Sequence, residues 1–322
     1  MPYFLGEKYH LAEYCGFCSR ISRLRNYKIS FISLFMEKIT ITGVPEHFNF
    51  PWQLLVEAQP FLESDVQLVW EDESRGSGAM NKALREGNTD LAIVLTESFV
   101  KDKIEGNPGR MIGFHVNSPL IWGIHVPART DLSAVEDLKN VPFLVSRMGS
   151  GSHLMTYLLA QRKSWNTSDI DFEIIGNLDG AIQSFRKNSA KAFLWEKYTT
   201  QPLVDKGLFK RIGEIPTPWP CFVIVASEKM LRDNAVLAFQ IMDALYQINR
   251  RLMNDRSAAV NQIAARYQLD PKGVEEWIAQ TTWTTEEEPA APHLLKTMEI
   301  LASLKLIDKK PGAETFIAPR SR

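Results

Sequence analysis

The sequence predicts an α/β protein of two lobes, each a mostly parallel sheet flanked by helices, with a helical C-terminal region. Three observations carry that prediction. Short, almost uninterrupted apolar runs such as Leu91–Leu95, Phe143–Val145 and Cys221–Ala226 have the composition of strands buried on both faces. Polar, glycine-bearing turns and stretches of helical spacing alternate with such runs, as in strand–helix–strand units. The alternation occurs in two blocks of similar size, within a chain of 322 residues that exceeds one ordinary core.

Apolar content of 45% and charged content of 23% describe a globular protein, and a net charge of −1 argues against nucleic acid or an anionic membrane surface as a bulk electrostatic partner. Cys15, Cys18 and Cys221 are an odd set with no disulfide framework, which favours a reducing compartment. No apolar run reaches the length of a membrane span.

Residues 1–35 are basic, with Lys8, Arg20, Arg23, Arg25 and Lys28 against Glu7 and Glu13, and show no sustained period. They are expected to be an extension outside the fold, with Met36 as an alternative start. Cys15 and Cys18 form a C-x-x-C with no second Cys/His pair to complete a metal site. No secretory signal is legible in these residues. The chain as it stands therefore reads as cytoplasmic, with a periplasmic location as the alternative.

The first lobe is expected over 37–126 together with about 220–322, and the second over 127–219. Strands are predicted at Lys38–Thr42, Val66–Trp70, Leu91–Leu95, Met111–Val116 and Leu120–Val126. Pro51 suits the first turn of a helix over Trp52–Phe61, and Ala79–Glu86 is a second helix. Ser133–Leu138 reads as a short helix with Ser133 as N-cap and Glu136 at its third position. In the second lobe, Phe143–Val145, Phe172–Ile175, Ala192–Leu194 and Leu208–Ile212 are strands, and Ala181–Lys187 is a helix. The apolar strand that starts at Cys221 crosses back, and Cys221 is most simply a buried small residue. Helices then cover Val236–Met253, Ala258–Tyr267, Gly273–Gln280 and His293–Leu304, with Trp277 and Trp283 as packing anchors.

The central stretch is Pro142–Gln161. Strand Phe143–Val145 runs into a polar, glycine-rich turn, and Leu154, Met155, Leu158 and Leu159 then recur at helical spacing. Free N–H groups and the positive dipole end of that helix favour an anionic or oxygen-rich group, with Ser150 or Ser152 as cap or ligand contact. No Lys follows the glycines, so this is not a phosphate-cradling Walker loop. Ligands of such sheets bind beyond the carboxyl ends of the strands. The loops there hold Phe48, Asn49, Phe50, Trp52, Arg75, Ser77, Gly78, Thr96 and Glu97 in the first lobe. In the second they hold Gly149, Ser150, Gly151, Ser152, His153, Asn177 and Glu196.

Four segments, TDLAIVLTE, SRMGSGSH, KAFLWEKYTT and CFVIVASEKML, resemble the type II periplasmic-binding-protein fold. The nearest group is the substrate-binding proteins for sulfonates, taurine and thiamine-pyrimidine precursors. The resemblance spans about Glu37 to the 250s and is one of pattern. It implies a clamshell closing on a small organic molecule, with an ABC transporter permease as the partner of such a protein. The first-loop contacts of that family fall at Phe48–Trp52 and its second-loop contacts at Arg75–Gly78. Its helix-start contacts fall at Gly149–His153, and its late acid-bearing turn at Trp195-Glu196. The sequence departs from exported members in showing no signal peptide or lipobox. The fold also serves cytoplasmic enzymes of thiamine-pyrimidine and menaquinone biosynthesis, although the cysteine-rich iron-site motif of the pyrimidine synthases is absent.

Binding is the expected function, and a cytoplasmic biosynthetic enzyme on the same scaffold is the alternative. His115 and His125 alternate within apolar strands and read as packing. His47 and His153 could meet across the cleft and, with Glu97 and Glu196, form acid–base apparatus. No metal triad, nucleophile elbow or dinucleotide fingerprint is present in the sequence, and neither catalytic residues nor cofactor are assigned. The expected ligand contains a ring and a polar acceptor group. Its body is expected against Phe48, Phe50 and Trp52, its acceptor at Gly149–His153, and any amine or ring N–H at Glu97 and Glu196.

Overall fold

In the computed structural model, which describes residues 36–320, the chain forms two five-stranded sheets. The first contains β1 (Glu37–Gly43), β2 (Val66–Asp72), β3 (Leu91–Leu95), β4 (Arg110–Val116) and β10 (Phe222–Ala226), in the order β2-β1-β3-β10-β4. The second contains β5 (Ile121–Pro127), β6 (Phe143–Val145), β7 (Phe172–Ile174), β8 (Ala192–Glu196) and β9 (Phe209–Pro216), in the order β7-β6-β8-β5-β9. The extension expected over 1–35, with His10, Cys15 and Cys18, lies outside the described residues.

Both sheets are mixed in the same way. β1 pairs in parallel with β2 and β3, and β10 lies antiparallel between β3 and β4. Likewise β6 pairs in parallel with β7 and β8, and β5 lies antiparallel between β8 and β9. The reversed strands are the two that have just crossed from the other lobe. A chain arriving across the gap enters a sheet at the edge where its neighbours end, and so runs against them. Val94 and Val223 are therefore partners in one sheet, while Val145 lies in the other.

This topology corrects one expected boundary. The strand after Leu120 belongs to the second sheet, so the first crossing lies at Asn117–Leu120 and not at Val126–Arg129. An apolar strand reads the same in either lobe, and its sheet membership is set by its partners. The two crossings are tied together. Thr217 Oγ1 accepts from Leu120 N at 3.0 Å, Thr217 N donates to Leu120 O at 3.0 Å, and Cys221 N donates to Ser118 O at 3.1 Å.

The first sheet is covered by α1 (Phe50–Ala58), α2 (Ser77–Glu86) and α3 (Thr96–Ile104), and the second by α4 (Gly151–Arg162), α5 (Leu178–Phe185) and α6 (Lys197–Asp205). Ile93, Val94, Val223 and Ile224 have no exposed surface, and burial of such side chains contributes roughly 1.5–3 kcal/mol each. Helices α3 and α6 were not legible in the sequence. Both start directly at a strand end without a glycine-bearing turn, and α6 contains Pro202. The expected Ser133–Leu138 helix is a single tight turn over Val135–Leu138. There Asp137 Oδ2, and not a Ser133 cap, accepts from Ser133 N and Ala134 N at 2.8 and 2.9 Å.

The C-terminal region is α7 (Glu228–Asn254), α8 (Arg256–Tyr267), α9 (Pro271–Gln280) and α10 (Ala291–Ser303). It returns to the first lobe through Trp277 and Trp283, which are 1% and 0% exposed. Trp283 Nε1 donates to Phe48 O at 2.8 Å. Among the described residues, no helix is long and apolar enough to cross a membrane.

Candidate functional site

The two crossings leave a cleft between the carboxyl ends of the sheets, with a cavity volume of about 110 Å³. Its apolar wall comes from Leu95 at the end of β3, Leu120 and Trp122 entering β5, Trp195 near the end of β8 and Phe222 opening β10. The polar groups converge from the turns. Glu46, Ser77 and Ser98 come from the first lobe, and Arg147, Ser150, Ser152 and Glu196 from the second.

Inside its mouth, the charged groups of this cleft, Glu46, Arg147 and Glu196, lack ion-pair partners among the described residues. Among the described residues, no carboxylate lies within ion-pair distance of Arg147, and desolvation pulls its guanidinium below the usual arginine range. Gly78 on α2 lets that guanidinium cross between the lobes, because a Cβ there would stand 2.0 Å from Arg147 Nη2. Glu196 caps α6, accepting from Thr199 N at 2.6 Å and Thr199 Oγ1 at 2.8 Å through Oε2, while its buried Oε1 has no partner. Burial raises its pKa above the usual carboxylate range, against the lowering effect of those hydrogen bonds. Burial, and then the charge of Glu196 nearby, pushes Glu46 up to about 8. Desolvated ionisable groups without counter-charges are what a cleft built for a ligand presents.

At the start of α4, Ser150 Oγ accepts from His153 N at 3.4 Å and lies 3.0 Å from Ser152 Oγ, which accepts from Ser146 N at 3.2 Å. The hydroxyls thus fix the turn and border the cleft together. Gly149 has φ +77°, a conformation that favours glycine.

The residues expected at the site divide into three groups. Arg75, Ser77, Ser150, Gly151, Ser152 and Glu196 border the cleft, with Arg75 at its mouth and paired to Glu73 at 2.6 Å. Gly78, Glu97 and Gly149 border an adjoining chamber. The others lie elsewhere. Thr96 fastens β10, donating to Pro220 O at 2.5 Å, and Asn49 braces its own loop by donating to Val44 O at 2.8 Å. Exposed Asn177 caps α5 by accepting from Gly180 N at 3.1 Å.

The expectation of a ligand-facing aromatic loop is corrected. Phe48, Phe50 and Trp52 are 4%, 2% and 0% exposed and pack inward. The ring of Phe48 lies 5.0 Å from Trp277 and 5.3 Å from Phe222, and Trp52 lies 6.1 Å from His115. These aromatic side chains gain more from burial beside the C-terminal tryptophans than from lining a wet cleft. His47 and His153 likewise do not meet. His47 sits 4.2 Å from the Trp277 ring, and burial lowers its pKa to about 3. His153 packs against Tyr157 and Phe172 and accepts from Gly149 N at 3.1 Å. His115 and His125 are buried in their strands, bonded to Phe48 O at 2.9 Å and Phe193 O at 3.2 Å. Cys221 is buried and its thiol pKa is raised well above the usual value, first by burial.

Glu46, Ser98, Trp122, Arg147 and Phe222 border the cleft without having been singled out in the sequence, and Trp195, named only as part of the acid-bearing turn, borders it too. Arg147 and Trp195 lie inside the quoted segments SRMGSGSH and KAFLWEKYTT, beside residues that were. Trp122 and Phe222 could be found only once β5 and β10 were known to start at the cleft.

The family model described as Ca3427-like PBP (PBP2_Ca3427_like) matches residues 122–215, the span from the start of β5 to the end of β9. The fold is similar to that of the Candida albicans CA3427 gene product, described as exhibiting the generic periplasmic binding protein fold. That match has a TM-score of 0.78 and 22% identity, over 87% of this chain and 93% of that one. It is also similar to the alkanesulfonate-binding protein SsuA of Xanthomonas axonopodis pv. citri bound to MOPS, with a TM-score of 0.69 and 18% identity over 84% and 94% of the two chains. The aliphatic sulphonate binding protein SsuA of Escherichia coli matches with a TM-score of 0.66 and 15% identity over 89% and 93%. Among curated protein sequences, none matches this chain. At these identities the likeness is one of fold. The chain is a two-lobed protein of the type II periplasmic-binding-protein-like fold.

Proposed function

We propose that this protein reversibly binds a small organic solute between its lobes, in the manner of ABC-transporter substrate-binding proteins. The observation that carries the reading is the unpaired guanidinium of Arg147 sharing a cleft with Glu46 and with the orphaned Oε1 of Glu196. A ligand that brings the missing partners offsets the desolvation of all three groups. An anionic or carbonyl group belongs at Arg147 and the α4 start, and an amine or ring N–H at Glu46 and Glu196. A planar or apolar body belongs against Trp122, Trp195 and Phe222. The ring-containing character expected from the sequence stays, carried by different aromatics. Sulfonate-binding proteins among the structural neighbours support an anionic group on the ligand, and delivery to a membrane permease belongs to the same proposal.

The second reading is a cytoplasmic biosynthetic enzyme. One observation favours it, the two cleft carboxyls with raised pKa, one of them near 8, since such pairs are also what acid–base catalysis uses. A thermal-shift screen of metabolites followed by incubation separates the two. Stabilisation by a compound recovered unchanged supports binding, and its consumption with turnover replaces binding by catalysis. A screen in which no compound stabilises the protein contradicts both.

A further inference from the structure

Beside the cleft, a second chamber of about 220 Å³ lies between α2 and α3 of the first lobe and the β6–α4 turn of the second. Arg147, Ser98, Ser150 and Gly151 border both spaces, so the chamber adjoins the cleft and Arg147 stands in the wall they share. Most of its charges are matched internally: Arg85 pairs with Asp102, and Lys101 with Glu105. Two groups are not. Glu97, 1% exposed, accepts from Trp219 Nε1 at 2.8 Å through Oε2, while its Oε1 has no partner. Asn81, 2% exposed, donates to Ser98 O and Oγ at 3.2 and 3.1 Å, which assigns Nδ2 as donor and leaves Oδ1 without a partner.

Both orphaned atoms are acceptors, buried on residues that line one chamber. Leaving a buried acceptor unpaired costs stability, and a pair of them selects a group that donates hydrogen bonds. We propose that this chamber is a second compartment of the ligand site, and that it receives a hydroxyl or ammonium substituent of a ligand whose anionic group rests on Arg147. The inference rests on the binding function proposed above and adds the shape and chemistry of the ligand: an anion with a donor-bearing arm. Glu97, raised by burial to about 7, is ionised in part near neutral pH and accepts from either kind of donor.

The test uses two matched series, butyrate with 4-hydroxybutyrate and 4-aminobutyrate, and propanesulfonate with its 3-hydroxy and 3-amino forms. Each compound is titrated calorimetrically into the parent, Glu97→Gln and Asn81→Leu. The expected result is that at least one donor-bearing compound binds roughly tenfold more tightly than its alkyl control. That advantage shrinks in whichever variant folds, while binding of the control is unchanged. Controls that bind with no donor advantage, or an advantage unchanged in both variants, overturn the chamber and leave the cleft reading standing. Failure of all six compounds, alkyl controls included, overturns both.

Discussion

Replacing Glu46 by Gln should remove a pH-dependent penalty from the cleft. In the unfolded chain this carboxyl titrates at its ordinary value of 4.5, and in the fold at about 8. Between those values the native protein holds a proton that the unfolded chain has released, so stability falls as pH rises through the window. At about 1.4 kcal/mol per pH unit the full penalty is on the order of 5 kcal/mol. This is an upper figure, because Glu46 is only half-buried and solvent at the cleft mouth screens part of it. Urea denaturation of parent and Glu46→Gln at pH 5, 6.5 and 8.5 reads the difference. The two should be close at pH 5, and the variant should be the more stable at pH 8.5. Glu196→Gln, which removes the second cause of the shift, should move the end of the parent's decline to lower pH. Parallel curves for parent and Glu46→Gln from pH 5 to 8.5 would refute the reasoning.

On the acid side, His47, His115 and His125 are held neutral by burial, with pKa values of about 3, 4 and 4. Their contribution is complete above 6.5 and is lost as pH falls toward 4, so the thermal midpoint should drop across that interval, and less steeply in a folded His115→Gln. Arg147→Met should leave the stability of the free protein within about 1 kcal/mol of the parent and weaken binding of an anionic ligand by roughly tenfold or more. A titration showing equal affinity counts against the site. Gly78→Ala should keep or raise stability by up to about 1 kcal/mol through helix propensity. The same change displaces the flexible end of Arg147, so thermal melts should be unchanged or higher while anion affinity falls.

The lobes were legible because buried strands and glycine-bearing turns leave local signals, as at Leu91–Leu95 and Ser146–Ser152. The lobe to which β5 belongs was not, because pairing with β8 and β9 is a non-local choice that an apolar run does not encode. The same limit governs the site. Glu196 and Ser150 are placed by their own strand and turn, and the sequence sufficed. Phe48 follows Glu46 in the turn after β1 and Trp52 lies in the first turn of α1, but the C-terminal Trp277 and Trp283 supply the core that draws the aromatics inward. Which side of a loop faces the cleft depended on helices more than 200 residues away in the chain.

A crystal structure of the protein with a stabilising compound from the metabolite screen tests the central claim most directly. The account predicts that compound between the lobes, with an anionic or carbonyl group on Arg147 and a donor within hydrogen-bond distance of Glu46 or Glu196. A compound bound outside the cleft, with Arg147 and both carboxyls untouched, would contradict it.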